Sequence, residues 1–222
     1  MPDKKPPDLG TMFDRIEAAV ARFPKAAMFA LAGLGFTSAF EQLIACILSI
    51  RTYDEVSLVA AQRLFARART PAALASLPPA EIEALIRPTT FGERKAVQIR
   101  DIARRVETGF GGVLPCDRDR LLSFAGVGPK CANLALGIAC GLKFISVDVH
   151  VHRVTNRWGY VATRSPEQTL AALEQKLPQD YWIDINRLLV PFGKHICTGT
   201  LPHCSACPVL EFCQQTGVSQ HR

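Results

Sequence analysis

The stretch Leu121–Leu136, LLSFAGVGPKCANLAL, constrains this chain more than any other. Two apolar runs with helical spacing flank Gly126-Val127-Gly128-Pro129. Two glycines one residue apart allow a hairpin too tight for a side chain, because Gly tolerates positive φ. Pro129 suits the first position of a helix, where its missing N–H costs nothing. The spacing predicts a short helix, a Gly-Val-Gly turn and a second helix starting near Pro129. Such a turn aims the backbone N–H groups around Gly126, Val127 and Gly128 outward at a helix N-terminus, a ready site for one phosphate. Lys130 falls in that first turn. The helix dipole and partial burial both disfavour its ammonium, leaving some neutral amine as a nucleophile. Simple pairing of Lys130 with a phosphate is the alternative, and Gly-x-Gly-x-Lys by itself does not separate the two.

With 222 residues, 48% hydrophobic and 21% charged, the chain is an ordinary globular protein with room for one or two domains. Its net charge of +6 and pI near 9.0 point to a polyanionic partner. The N-terminus MPDKKPPDLG lacks the apolar segment of a signal peptide. The longest apolar stretch, Cys131–Leu142, contains Asn133 and is too short to cross a bilayer. A cytoplasmic chain with no membrane partner is expected. Of the eight cysteines, Cys46, Cys131 and Cys140 lie in apolar helical stretches and read as small hydrophobes. Cys116 lies in a loop without an obvious role. The other four crowd the C-terminus, where a metal site is expected in preference to disulfides.

Along the chain, residues 1–10 read as disordered, and Thr11 as the cap of a helix running to about Phe23. Ser38–Ile50 begins with a capping serine and is apolar nearly all round, which predicts a central buried helix. Asp54 reads as the cap of the next helix. Thr70-Pro71 opens another, and Pro78–Arg87 forms a further one. Glu93–Glu107 is a basic amphipathic helix whose Arg94, Lys95, Arg100, Arg104 and Arg105 suit either a solvated face or a polyanion contact. Asp117 restarts the chain after three glycines, and the hairpin follows. Asp148 reads as the N-cap of a helix over His150–Trp158. Ser165-Pro166 opens another helix, and Asp180–His195 forms the last. No alternating strand pattern appears, so the fold class expected is all-α.

Two constellations carry chemistry. An amine nucleophile such as Lys130 needs a carboxylate to move protons and balance developing positive charge. Asp148, ionised at a helix N-terminus, suits that work, although a plain cap is its simpler reading. The second constellation is Cys197-x6-Cys204-x2-Cys207-x5-Cys213. One CxxC flanked by outer cysteines is compact enough for a [4Fe–4S] cluster, and structural zinc stays open from spacing alone.

These residues together resemble the endonuclease III family of helix–hairpin–helix DNA glycosylases. The resemblance rests on FEQLIACILS at Phe40–Ser49, GVGPKCAN at Gly126–Asn133, VDVHVHRVTNR at Val147–Arg157 and the four-cysteine spacing. It implies a two-lobed all-α fold with a DNA cleft between the lobes. Residues 31–143 would form a six-helix barrel with the hairpin, and residues 1–30 with 144–222 the iron–sulfur lobe. It implies a monomeric base-excision-repair enzyme acting on duplex DNA that carries an oxidised pyrimidine or an abasic site. Lys130 would be the Schiff-base nucleophile and Asp148 its acid partner. Cys197, Cys204, Cys207 and Cys213 would hold a structural [4Fe–4S] cluster. His150 and Arg153, behind Asp148, would lie near DNA.

The sequence departs from the family's pattern at three places. Arg51 stands where the family usually offers a glutamine to fill the gap left by the flipped base. Phe91 is the candidate wedge, with Thr90 in place of the usual glycine. The loop Thr198–His203 contains no Lys or Arg, where the family's loop is usually basic. Fewer ionic DNA contacts are expected from it. These departures keep alive a second reading, an iron–sulfur DNA-binding protein without turnover.

Overall fold

The computed structural model describes residues 4–222. Its helices fall into two units, Ala26–Phe144 and Met1–Lys25 with Ile145–Arg222. No strand occurs among the described residues, as expected for an all-α chain. The second unit contains α1 (Leu9–Val20) and then, beyond residue 144, α10 (Val149–Arg157), α11 (Pro166–Lys176) and α12 (Asp184–His195). The first contains α2 (Ala27–Gly33), α3 (Ala39–Ser49), α4 (Asp54–Arg67) and α5 (Pro71–Ser76). It continues with α6 (Pro79–Ile86), α7 (Gly92–Phe110), α8 (Arg118–Leu122) and α9 (Pro129–Cys140).

In the unit Ala26–Phe144, α3 is the central helix. Ser38 Oγ accepts from the Glu41 N–H while the Glu41 carboxylate accepts from the Ser38 N–H, a closed capping box. Every residue from Ala39 to Leu48 is buried, against α2, α4, α7 and α9. Unpredicted α2 adds Met28 and Leu31 to the same core, which draws residues 26–30 into this unit. Along α7, Ala96, Ile99, Ile102, Ala103 and Val106 form the buried stripe. Lys95 lies on that stripe and is 4% exposed, so it is a core residue and not part of a solvated basic face.

The expectation that Cys116 is idle and Cys140 merely hydrophobic is overturned: the two form a disulfide, with Cα atoms 6.1 Å apart. The bond closes a loop that contains α8, the hairpin and α9. Cys116 stands just before α8 and Cys140 is the last residue of α9, so the antiparallel return of the two helices brings them together.

In the other unit, α12 packs against both α1 and α10 around Ile16, Val154, Leu189 and Phe192. Asp8, not Thr11, caps α1; its carboxylate accepts from the Thr11 N–H and Oγ1–H. Residues 4–10 are also ordered. Lys4 Nζ donates to the Leu210 carbonyl at 2.9 Å, the Lys5 N–H donates to Glu211 O at 3.0 Å, and Lys5 and Arg15 both pair with Glu211. The part of the disorder expectation covering residues 1–3 lies outside the described residues. Tyr53, not Asp54, is the N-cap of α4. The last helix starts at Asp184, after a 3₁₀ turn over Gln179–Tyr181, and carries Pro191 inside it.

Candidate nucleic-acid interface and cysteine centre

The hairpin forms where the spacing predicts it. Asp117 Oδ1 caps α8 through the Asp119 and Arg120 N–H groups. The chain then turns at Gly126, whose φ is +76°. Val127 turns its side chain into the core, while Gly126 and Gly128 stay exposed. Two residues of α7 brace the hairpin. Gln98 Nε2 donates to the Ala125 carbonyl at 2.8 Å, and Arg105 Nη1 to the Ser123 carbonyl at 3.0 Å. A Cβ added to Gly126 would lie 2.7 Å from Gln98 Nε2, so the position requires glycine twice over. Gly128 starts α9 with extended backbone and no side-chain cap, and a helix N-terminus of this kind is a ready site for an external acceptor. Half-buried Lys130 lies in that first turn. Next to it, Cys131 Sγ lies 2.7 Å from Cys46 Sγ of α3. The Cys46 hydrogen bond and burial together hold the Cys131 thiol well above its ordinary pKa, so it is neutral beside Lys130.

Arg51 and Phe91, the expected gap filler and wedge, meet in the same unit. Each has left-handed backbone, φ 53° and 59°, and the Arg51 guanidinium lies 5.8 Å from the Phe91 ring centroid. Both side chains are exposed, Phe91 by 49%. Thr90 locks the pair: its Oγ1 donates to the Arg51 carbonyl at 2.7 Å, and its N–H to Thr52 Oγ1 at 3.2 Å. A glycine at position 90 has no hydroxyl for that bond. Behind them, the Lys95 ammonium donates to the Leu48 carbonyl, the Ile50 carbonyl and Thr52 Oγ1 at 2.8, 2.8 and 3.1 Å. Burial pulls its pKa down to about 8.

In the other unit, Asp148 caps α10: Oδ1 accepts from the His150 and Val151 N–H groups, each at 2.9 Å. Half-buried His150 contacts Arg153 at 3.1 Å. Arg153 faces inward, donating to the carbonyls of Cys197 and Gly193 at 3.1 and 2.8 Å, which commits two of its nitrogens to the protein. A Cβ on Gly193 would lie 2.8 Å from His150 Nδ1 and 3.1 Å from Arg153 Nη2, so this packing needs glycine there. Arg157, to which the sequence assigns no clear role, donates to the carbonyls of Thr198 and Gly199 at 2.6 and 2.8 Å. The loop without basic residues is thus held by an arginine from α10.

Cys197, Cys204, Cys207 and Cys213 line a single cavity of about 340 Å³, counting the part open to solvent, with Trp158 and Phe192 in its wall. Burial pushes the Cys207 thiol up to about 12 and raises Cys213, with the neighbouring cysteines adding to both. Four thiolates there need a cationic centre to offset that cost. Donors to sulfur are already placed: the Gln215 N–H reaches Cys213 Sγ at 3.4 Å and Arg157 Nη1 reaches Cys197 Sγ at 3.5 Å. The donor set therefore fits an iron–sulfur cluster. Among the described residues, no three His, Cys, Asp or Glu side chains converge closely enough to hold a single metal ion.

An all-helical scaffold with a braced glycine hairpin, a lysine at the following helix start and a four-cysteine loop is the layout of a DNA-repair glycosylase. Residues 44–179 match the HhH-GPD superfamily of base excision DNA repair proteins. The chain is 39% identical over 178 residues to endonuclease III of Thermotoga maritima, a match spanning 80% of this chain and 84% of that one. It is 42% identical over 183 residues to chloroplastic endonuclease III homolog 1 of Arabidopsis thaliana, covering 78% of this chain and 48% of that longer one. The fold matches a solved non-covalent endonuclease III–DNA complex with a TM-score of 0.79, at 28% identity, covering 91% and 92% of the two chains. The chain belongs to the endonuclease III family of base-excision-repair DNA glycosylases with AP lyase activity. That family is generally one of iron–sulfur enzymes. No helix of the described residues is long and apolar enough to cross a membrane.

Proposed function

We propose that this protein, acting as a monomer in the cytoplasm, excises oxidised pyrimidines from duplex DNA and cleaves abasic sites through a Schiff base on Lys130. The observation that carries this reading is the position of Lys130, in the first turn of a helix that starts on Gly128 directly out of the hairpin. The N-terminal N–H groups of that helix and the turn at Gly126, Val127 and Gly128 take a phosphate, which brings the sugar carbon within reach of the amine. The damaged nucleotide leaves the stack first, because C1′ is shielded inside the duplex. Phe91 wedges into the stack and Arg51 fills the space vacated.

The Lys130 amine bonds to C1′ as the glycosidic bond breaks, and the bonding pair leaves with the base. Proton loss from the new amine and opening of the sugar ring give a protonated imine. Loss of a C2′ proton then expels the 3′ phosphate, cutting the strand 3′ to the lesion. Asp148 serves as the acid–base partner and counter-charge, and the fixed orientation that its Oδ1 cap gives the carboxylate supports that role. His150 lies behind it toward the DNA. Arg153 contributes by holding α10 to the cysteine loop. Cys197, Cys204, Cys207 and Cys213 hold a [4Fe–4S] cluster, which ties the loop together when bound and takes no part in bond cleavage.

Base release and strand incision are measured separately on a thymine-glycol duplex and an abasic duplex. Lys130→Ala loses both activities, and Asp148→Asn slows both on the order of a hundredfold or more. Tight duplex binding with neither activity in the unaltered protein would favour the non-catalytic DNA-binding reading.

A further inference from the structure

We propose that Lys95 is a positioning residue that joins the Arg51 turn and the Phe91 turn into one element, so that the two side chains enter the duplex together. The inference rests on the reading above that Arg51 and Phe91 act inside the DNA. Lys95 itself is buried and touches no substrate.

The geometry is specific. Lys95 Nζ takes the carbonyls of Leu48 and Ile50, at the end of α3, and Thr52 Oγ1 just past Arg51. Carbonyls at a helix C-terminus have no intrahelical partner, and buried ones need a donor. The Lys95 N–H meanwhile bonds to the Phe91 carbonyl at 3.0 Å as the first full turn of α7 closes. One residue thereby holds the Arg51 turn with its side chain and the Phe91 turn with its backbone. Thr52 Oγ1 accepts from both Lys95 Nζ and the Thr90 N–H, and Thr90 Oγ1 closes the ring on the Arg51 carbonyl.

Left-handed backbone is unfavourable for arginine and phenylalanine and persists only where the surroundings over-determine it. Without the ammonium, the Leu48 carbonyl loses the donor it takes from Lys95, the Ile50 carbonyl and Thr52 Oγ1 are each left with one donor in place of two, and the Arg51 turn is released. Keeping a cation in so dry a place is costly, as its depressed pKa shows, and an apolar side chain fits the stripe of α7 more cheaply.

The test is a double-mutant cycle on single-turnover base release from a thymine-glycol duplex, using full-length holoprotein with thermal unfolding measured alongside. Lys95→Met and Arg51→Ala each lower release on the order of thirtyfold, and the double variant falls no more than about threefold below the weaker single one. A merely structural lysine gives losses that multiply, on the order of a thousandfold in the double variant, and that outcome overturns the proposal. If Arg51→Ala alone leaves release unchanged, the reading beneath fails and takes the proposal with it. Should Lys95→Met not fold, Thr52→Val cuts the same ring from its half-buried side. It must show the same non-multiplying loss with Arg51→Ala, and multiplying losses overturn the proposal there too.

Discussion

The Arg51 guanidinium lies over the Phe91 ring, 5.8 Å from its centroid, and both residues hold left-handed backbone. Left-handed backbone is unfavourable for both residue types, so the surrounding bonds hold the pair in it. Phe91→Gly removes the backbone penalty of about 1 kcal/mol and deletes an exposed ring. The variant is therefore expected to unfold at equal or higher temperature while base release falls about tenfold or more, the value of a lost stacking contact of about 1–3 kcal/mol. Calorimetry and single-turnover release on the same preparation check both halves.

Lys95 makes stability pH-dependent with a definite sign. Its folded-state pKa is lowered from 10.5 to about 8, so between those values the unfolded chain holds a proton that the folded chain has released. Folding thus gains from rising pH in that window, by on the order of 2–3 kcal/mol, and the penalty is fully present below about 8. Urea unfolding of the unaltered protein and of Lys95→Met is compared at pH 7.0 and about 10. The difference between them shifts in favour of the unaltered protein as pH rises.

Gly126→Ala meets a positive φ and the Gln98 amide at 2.7 Å. Either the hairpin or Gln98 must move, at a cost of about 1–2 kcal/mol, and the phosphate site moves with it. Affinity for an abasic duplex should fall more than tenfold. Gly128→Ala, at a position with extended backbone and open space around it, should fall by much less. Equilibrium binding of the two variants checks this ordering.

The Cys116–Cys140 disulfide spans a sequence separation of 24 residues around the hairpin. Closing a loop of that size stabilises the folded state by about 3–4 kcal/mol in the chain-entropy account. A dithiol reductant should lower the urea midpoint of the protein and leave that of a Cys116→Ser/Cys140→Ser variant unchanged. Iron content must be measured in each sample, so that loss of the cluster is separated from loss of the bond.

What could be read in the sequence was local. The hairpin follows from Gly126, Gly128 and Pro129, and the α10 cap from Asp148, because glycine freedom, proline geometry and side-chain capping act within four residues. The Arg51–Phe91 pair was legible only as two separate departures; their contact depends on how α3 and α7 cross. The Cys116–Cys140 bond was hidden for the same reason, since no local pattern reports an antiparallel return. Lys95 did carry a signal. Positions 95, 99, 102 and 106 share one helical face, so periodicity placed the lysine on the apolar stripe, and its charge argued for the wrong side. The bonds of Arg153 and Arg157 to the carbonyls of Gly193, Cys197, Thr198 and Gly199 were hidden too, because they join α10 to a segment about forty residues further along the chain.

The most direct measurement is borohydride trapping on an abasic duplex and on a thymine-glycol duplex, followed by peptide mapping of the adduct. A covalent protein–DNA species whose nucleotide sits on the peptide containing Lys130, and which Lys130→Ala abolishes, is the predicted result. An adduct mapped to another lysine, or incision that leaves nothing to trap, would contradict the account at its centre.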